Sequence, residues 1–224
     1  MNDAGRILVS EPDQIVRDIF DGLAEGRYVP GQRLAEPDLM RRYGVARSTV
    51  REALRRLAAE GVAVIAPHRG AHLRLLSRRE AADLLRVLER LLGLAARQAA
   101  EAVAAGGDPA RFAAASAAWL GGAAGDAGAR RRYYRALTDL AGNRDLARLL
   151  ASMQVHLIRA QLRLARPRGL ADHRALAAAV IAGAPERAEA AAGRHIRRLI
   201  AALPGLPDTA FADEGRMTSA AKEA

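Results

Sequence analysis

Strand-like sequence is confined to one stretch of this chain, and that constrains its fold more than any other feature. The stretch is VAVIAPHRGAHLRLL (62–76), in which β-branched and apolar residues flank a Pro-His-Arg-Gly segment. This pattern predicts a β-hairpin. Before it, Ile15, Ile19 and Leu23 recur every fourth residue and so share one helix face, and Tyr28-Val29-Pro30-Gly31 is typical of a turn. Shorter helices are expected over AEPDLMRRYG and ARSTVREALRRLAAEG, which end at Gly44 and Gly61.

Three helices followed by a hairpin are the order of a winged helix-turn-helix, which we predict over residues 11–76. From about Ala81 the pattern is helical only, beginning with the long EAADLLRVLERLLGLAARQAAEAVAAG and continuing after Asp108 and Pro109, an N-cap and a first-turn residue. Further helices are expected around 128–141, 144–166, 170–183 and from Pro185 to about Leu203. The fold class is therefore mainly α: a winged helix-turn-helix, an all-α bundle over 81–203, and a flexible tail over 204–224.

Composition narrows the class of protein. The chain has no cysteine, which excludes disulfides and thiolate chemistry and favours a reducing, cytoplasmic location. No apolar run reaches the roughly 18 residues of a membrane span, so no membrane partner is expected. The formal charge of +10 suggests a polyanionic partner. That charge is concentrated locally, because residues 41–56 hold six arginines and one acid, Glu52.

The helix predicted over Ser48–Glu60 has two different faces. At 100° per residue its apolar stripe faces a core, and the opposite face collects polar side chains. The stripe consists of Val50, Ala53, Leu54 and Leu57. Ser48 or Thr49 is expected to cap the helix, since Thr49-x-x-Glu52 has capping-box spacing. Arginine matches guanine in the major groove, and hydroxyls suit phosphate contacts. The outward residues are Arg47, Ser48, Arg51, Glu52 and Arg55. A solvated amphipathic helix is the alternative, and the preceding helix and the wing favour DNA.

The stretch PGQRLAEPDLMRRYGVARSTVREALRRLAAEGVAVIAPHRGAHL resembles the DNA-binding domain of the GntR family of bacterial transcriptional regulators. Family positions occur at Pro30-Gly31, Glu36, Gly44-Val45-Ala46-Arg47 and Val50-Arg51-Glu52-Ala53-Leu54, with Ala46 where serine is usual. That alanine would remove one phosphate contact. The resemblance implies that the helix predicted over Ser48–Glu60 is the recognition helix, which contacts the operator. It also implies that the hairpin is the wing, which contacts the minor groove or the DNA backbone. With Glu36 from the family pattern and Arg55 from the helix face, the expected DNA-binding residues are Glu36, Arg47, Ser48, Thr49, Arg51, Arg55, His68, Arg69 and Gly70.

The helical half is similar to the FCD domain, the ligand-sensing domain of the FadR-like subgroup. YYRALTDLAGN matches a stretch usually written FH-x-x-L-x-x-x-SGN, and His173 and His195 stand 22 residues apart, as in the closing pattern. Many members bind a divalent metal through an Asp, a His four residues later and two late histidines. Here Arg130 and Tyr134 replace the first two. This departure from the family's ligand set disfavours a metal such as Zn, Ni or Mn. If one is present, it would use His173 and His195, with His156 or Asp139 as substitutes for the missing ligands.

The alternative is an effector site without a metal. Arg130 would bind a carboxylate or phosphate directly, and Tyr134, His173 and His195 would line the same cavity. In a third interpretation, the two histidines are ordinary packed or surface residues. We predict a homodimeric regulator, a repressor in the usual sense of this family, that binds a palindromic operator in double-stranded DNA and responds to an organic acid. The rivals are a nonspecific architectural DNA-binding protein and an enzyme, which the lack of a nucleophile motif and of a complete metal set disfavours.

Overall fold

The computed structural model describes residues 10–66, 68–122, 127–152, 155–162 and 170–213. The described residues form two compact units. The first unit holds those up to Leu75 together with His156–Gln161, and the second holds the rest from Leu76 onward. Over these ranges, every helix is too short or too polar to cross a membrane.

The first unit is the predicted winged helix-turn-helix with one addition. Its elements in chain order are α1 (Glu11–Glu25), β1 (Arg33–Leu34), α2 (Glu36–Tyr43), α3 (Arg47–Ala59), β2 (Ala63–Ala66) and β3 (Gly70–Leu73). The hairpin of β2 and β3 is confirmed, with Val64 opposite His72. The addition is β1, which pairs antiparallel with the other edge of β3 and gives the sheet order β1-β3-β2. A two-residue strand has no periodicity by which the sequence could reveal it.

The turn between α2 and α3 depends on Gly44. This residue ends α2 in the left-handed conformation, with φ of 67°, and its N–H donates to the Met40 carbonyl. Glycine adopts that conformation without the steric cost of a Cβ. The turn directs α3 so that its apolar stripe reaches the core. All four predicted members of that stripe are buried: Val50, Ala53, Leu54 and Leu57.

The predicted start of α3 is wrong by one residue, and so is its cap. The helix begins at Arg47, its N-cap is Ala46, and no side chain caps its first turn. Ala46 has the extended backbone of an N-cap, with φ of −68° and ψ of 158°. Ser48 and Thr49 therefore lie inside the first turn instead of ahead of it. A hydroxyl in that place is not a cap, and the Ser48 side chain is exposed.

The second unit is built from helices, as predicted. They are α4 (Arg78–Ala104), α5 (Ala110–Gly121), α6 (Ala127–Ala141), α7 (Arg144–Ser152), α9 (Leu170–Ile181) and α10 (Pro185–Ala202). A capping box starts α4: the Ser77 hydroxyl accepts from the Glu80 N–H, and the Glu80 carboxylate accepts from the Ser77 N–H. The start of α5 is one residue later than predicted, because Pro109 is the N-cap instead of a first-turn residue. The Asp108 carboxylate, predicted as the cap, accepts from the Ala110 N–H at 2.9 Å.

Two expectations for the C-terminal half fall on residues that are only partly described. The helix expected over 144–166 contains α7, which belongs to the second unit, and α8 (Val155–Gln161), which belongs to the first from His156 onward; residues 153, 154 and 163–166 lie outside the described part of the chain. The segment expected as a flexible tail from residue 204 begins with regular structure instead. Short 3₁₀ turns span Leu203–Gly205 and Asp208–Ala210, and Phe211 is buried under the Arg78 guanidinium. Residues 214–224 of that tail lie outside the described part of the chain.

Candidate functional sites

The outward face of α3 presents three arginines at four-residue intervals. The side chains of Arg47, Arg51 and Arg55 are 71%, 60% and 63% exposed. Ser48 is exposed beside them and Thr49 is half-buried. The structure therefore brings together on one surface all the α3 residues that the sequence indicated. Long cationic side chains on the free face of the second helix of a helix-turn-helix suit the bases and phosphates of a major groove.

Glu36, at the start of α2, lies against this arginine face. Its Oε2 accepts from Nε of Arg47 at 2.6 Å, and its Oε1 is 3.8 Å from Nε of Arg51. The Glu36 side chain is only 28% exposed. Because a carboxylate repels phosphate, we expect Glu36 to act by orienting the two guanidinium groups.

A second acid on α3 helps to fix the helix to its neighbour α1. Glu52 accepts from Arg55 at 2.9 Å and from Arg56 at 3.0 Å. Arg56 also donates to Asp13 on α1 at 2.5 Å. The hydrogen bond from Arg56 keeps the pKa of Glu52 below its ordinary value, against a smaller effect of burial. Glu52 therefore stays charged near neutral pH and orients Arg55.

Sequence reasoning missed a polar cluster that joins α1 to α2. The Tyr43 hydroxyl donates to Oδ2 of Asp18 at 2.5 Å, and Arg27 and Arg42 each approach the same carboxylate at 3.1 Å. Burial opposes the charge on Asp18, but the hydrogen bonds from Tyr43 and Arg27 outweigh it and lower the pKa of Asp18. Burial, followed by the bond to Asp18, raises the pKa of Tyr43. These residues come from distant positions, so no local pattern reveals them.

The wing places its predicted contact residues at its tip. His68, Arg69 and Gly70 are all exposed, and the Arg69 N–H closes the turn on the Ala66 carbonyl at 3.2 Å. His68 has a φ of 61°, the left-handed region that few residues other than glycine enter. The tip thus projects an imidazole and a guanidinium into solvent, as a minor-groove or backbone contact requires.

A cluster of rings lies inside the second unit and contains three of the four predicted effector residues. The Tyr134 hydroxyl is 2.9 Å from Nε2 of His173, and the ring centroids of His173 and His195 are 4.1 Å apart. These side chains come from α6, α9 and α10. His173 and His195 are 3% and 9% exposed, so the interpretation of the pair as surface histidines is wrong.

Two further aromatic residues belong to this cluster and were not singled out from the sequence. Trp119 packs edge-on against His173 with centroids 4.6 Å apart, and it lies 4.7 Å from the ring of Tyr133. Tyr133 also packs on Phe112 at 5.2 Å. Burial raises the pKa of the Tyr133 hydroxyl well above its ordinary value. Aromatic residues in helices are usually core residues, so an aromatic side chain alone does not indicate a ligand site.

Arg130 is the fourth predicted residue, and it differs from the arginines around it. It is 7% exposed, whereas Arg131, Arg132 and Arg135 are exposed. It precedes Tyr134 by one helical turn, so the two share a face of α6. Arg130 takes part in interactions within the protein. A buried guanidinium keeps its charge, which suits the recognition of an anion.

No group of three or more His, Asp or Glu residues within the described ranges is arranged to hold a metal ion. Asp139, considered as a substitute ligand, is instead paired with Arg111 at 2.9 Å. The side chain of His156, the other substitute, lies outside the described residues. Asp172 is buried next to His173, but Nη1 of Arg198 lies 2.9 Å from its Oδ2.

The first unit matches a known family of DNA-binding domains. Residues 12–73 match the family model of the bacterial regulatory proteins, gntR family. Over 222 residues the chain is 28% identical to the "Probable D-xylose utilization operon transcriptional repressor" of Paenarthrobacter nicotinovorans, and the match covers 89% of each protein. The family match includes every residue of the proposed DNA-binding surface.

Solved structures resemble the chain over most of its length. A GntR transcriptional regulator of Rhodococcus sp. RHA1 aligns with a TM-score of 0.73 at 22% identity, covering 88% of this chain and 98% of that one. McbR/YncC of E. coli aligns with a TM-score of 0.71 at 21% identity, covering 88% and 99%. At this level of identity the likeness concerns the fold, a winged helix-turn-helix with a C-terminal helical domain.

Proposed function

We infer that this chain, whose residues 12–73 form a DNA-binding domain of the gntR family, is a transcriptional regulator that binds an operator through the arginine face of α3. The observation that carries this proposal is the placement of Arg47, Arg51 and Arg55. They are more than half exposed on the second helix of the helix-turn-helix, within the matched region. Repression is the expected sense, because the curated relative is named as a repressor.

The proposed operator is a palindrome bound by a homodimer. In a helix-turn-helix protein each α3 reads one half-site, and a two-fold axis in the protein is mirrored by the symmetry of the DNA. Arg51 would form a bidentate contact with guanine, Arg47 and the hydroxyls would bind phosphates, and the wing tip would reach the flanking groove.

Replacing Arg51 with alanine tests the recognition helix. A duplex selected from a random library by the wild-type protein serves as the operator. We expect Arg51→Ala to weaken binding by about 30-fold or more, since a dimer loses one guanine contact, worth ~1–3 kcal/mol, in each half-site. The matched control is Arg86→Ala, which removes a 62% exposed arginine from α4. An unchanged footprint for Arg51→Ala would disprove the assignment of α3.

The same selection separates a regulator from an architectural protein. A regulator prefers its operator over other DNA by ~10³-fold or more. With an architectural protein the selection would enrich no particular DNA sequence. Its affinity for DNA would vary with the salt concentration and not with the sequence.

For the second unit we propose an FCD-type sensing domain whose effector is a small organic acid. The buried Arg130 would bind the carboxylate, and Tyr134, His173 and His195 would surround it. Binding would shift the equilibrium between conformations with different operator affinity. No metal is needed in this scheme, because the guanidinium supplies the positive charge that a cation would otherwise supply.

Calorimetry on the purified full-length protein tests the role of Arg130. Titration with Zn²⁺, Ni²⁺ and Mn²⁺ should show no tight binding, and Arg130→Gln should abolish the response to an acid that wild type binds. Tight metal binding by wild type would show that arginine does not replace a metal. D-xylose is included in the same titration, because the curated relative is named for a D-xylose utilization operon.

A further inference from the structure

We propose that the hydroxyl of Tyr133 is a specificity-determining group of the effector site, and that the effector is an acid with a second oxygen, a hydroxy or keto acid. This inference rests on the proposed sensing function of the second unit. It adds a second recognition point to the one that Arg130 provides.

The observation is a buried hydroxyl without a partner. Tyr133 is fully buried, and among the described residues its hydroxyl oxygen has no hydrogen-bond partner. Buried polar groups are nearly always hydrogen-bonded, because an unpaired one loses its bonds to water and gains nothing in return. An exception therefore points to a partner that is not part of the protein.

The ring of Tyr133 does not explain the hydroxyl. Its packing against Phe112, Trp119 and Tyr134, with centroids 4.7–5.2 Å away, needs only a phenyl ring. Phenylalanine would keep these contacts and avoid the cost of desolvating an oxygen. A tyrosine at this position is thus unfavourable for the ligand-free fold, which is the pattern expected of a binding residue.

The hydroxyl belongs to a side chain that packs against the proposed effector residues. Tyr133 adjoins Tyr134, whose hydroxyl bonds His173, and the ring of Tyr133 is 6.1 Å from that of His173. It follows Arg130 by three residues on the same helix, so both groups project from neighbouring positions. A guanidinium recognises a carboxylate, and a phenol donates to one further oxygen. Acids with a hydroxyl or keto oxygen satisfy both groups, whereas simple alkyl acids leave the phenol unpaired.

Two measurements on full-length wild type and Tyr133→Phe test this inference. The first is calorimetry with propionate, lactate and pyruvate, and with succinate and malate. Wild type should bind the hydroxy or keto acid at least 5-fold more tightly than the alkyl acid of the same length. Tyr133→Phe should bind both acids of a pair with the affinity that wild type has for the alkyl acid. A site that recognises an oxygen through a hydrogen bond discriminates only while its own polar group is present. Lactate against pyruvate shows which kind of oxygen is preferred.

The second measurement is the melting temperature without ligand. Tyr133→Phe should raise it by about 2–4 °C, because the substitution removes an unpaired buried hydroxyl. Tyr43→Phe is the control, since its hydroxyl donates to Asp18 and its loss should lower the melting temperature. A lower or unchanged melting temperature for Tyr133→Phe would overturn the inference, as would an unchanged preference for the oxygen-bearing acids. If wild type binds all the acids equally, the inference about Tyr133 is wrong but the proposed acid effector is not. If wild type binds none of them, both are wrong.

Discussion

At the scale of single residues, arginines of one sequence have opposite roles. Arg47 and Arg51 lie on a free helix face beside Glu36, while Arg130 is buried in a cluster of rings. Each of these arginines contributes equally to the formal charge of +10, so the net charge does not distinguish them. What separates them is the environment of each guanidinium, since exposure leaves the charge available to a polyanion and burial removes it from one.

Replacing Glu36 with glutamine should separate affinity from specificity. The carboxylate orients Arg47 and Arg51 but also repels phosphate, so its loss acts in two directions. An exposed ion pair is worth up to about 1 kcal/mol. We expect Glu36→Gln to reduce the preference for the operator over random DNA by about 3- to 10-fold in the dimer, while binding to random DNA stays equal or strengthens. Competition binding at fixed salt measures both quantities.

The control for Glu36→Gln removes the same charge from the same helix. Asp38 is 67% exposed and pairs with Arg41, away from α3. Asp38→Asn should strengthen binding to all DNA alike and leave the preference for the operator unchanged. If the two variants behave identically, Glu36 contributes only its charge.

At the scale of elements, periodicity decided what the sequence could predict. The stripe from Val50 to Leu57 and the hairpin after Gly61 were predicted correctly, because each repeats its pattern over several residues. The strand β1 has two residues and no pattern. The predicted cap of α3 was wrong because capping-box spacing is a local signal, whereas the helix begins one residue earlier than that signal indicates.

The sites divide in the same way. The α3 surface could be predicted because a helix face follows from spacing alone. The ring cluster could be predicted only for the residues at the metal-ligand positions of the family pattern, and Trp119 and Tyr133 join it through packing between α5, α6 and α9. Contacts between distant segments leave no trace in local spacing, which is also why the bonds to Asp18 were missed.

At the scale of the whole molecule, the first unit is not continuous in sequence. The chain leaves the second unit after Val155, contributes α8 to the first unit, and returns at Leu162. Leu157 of α8 is fully buried and belongs to the same hydrophobic core as Ile15, Leu54 and Leu57. A segment from the C-terminal half of the chain therefore completes the core of the domain that carries the DNA-binding face.

Truncating Leu157 should accordingly loosen the DNA-binding domain, although this residue is about 100 positions away from α3. A buried Leu→Ala substitution costs about 2–5 kcal/mol. If Leu157→Ala lowers the free energy of unfolding of the first unit by about 2 kcal/mol, hydrogen-exchange protection in α1 and α3 should fall by about 30-fold. This applies to the amides that exchange only when the whole unit opens. Leu149→Ala, which truncates a 53% exposed leucine of α7, should leave that protection unchanged. If both variants retain wild-type protection, the core of the first unit does not depend on α8. If Leu157→Ala alone loses it, the stability of the DNA-binding face depends on a segment that lies between helices of the second unit in the sequence.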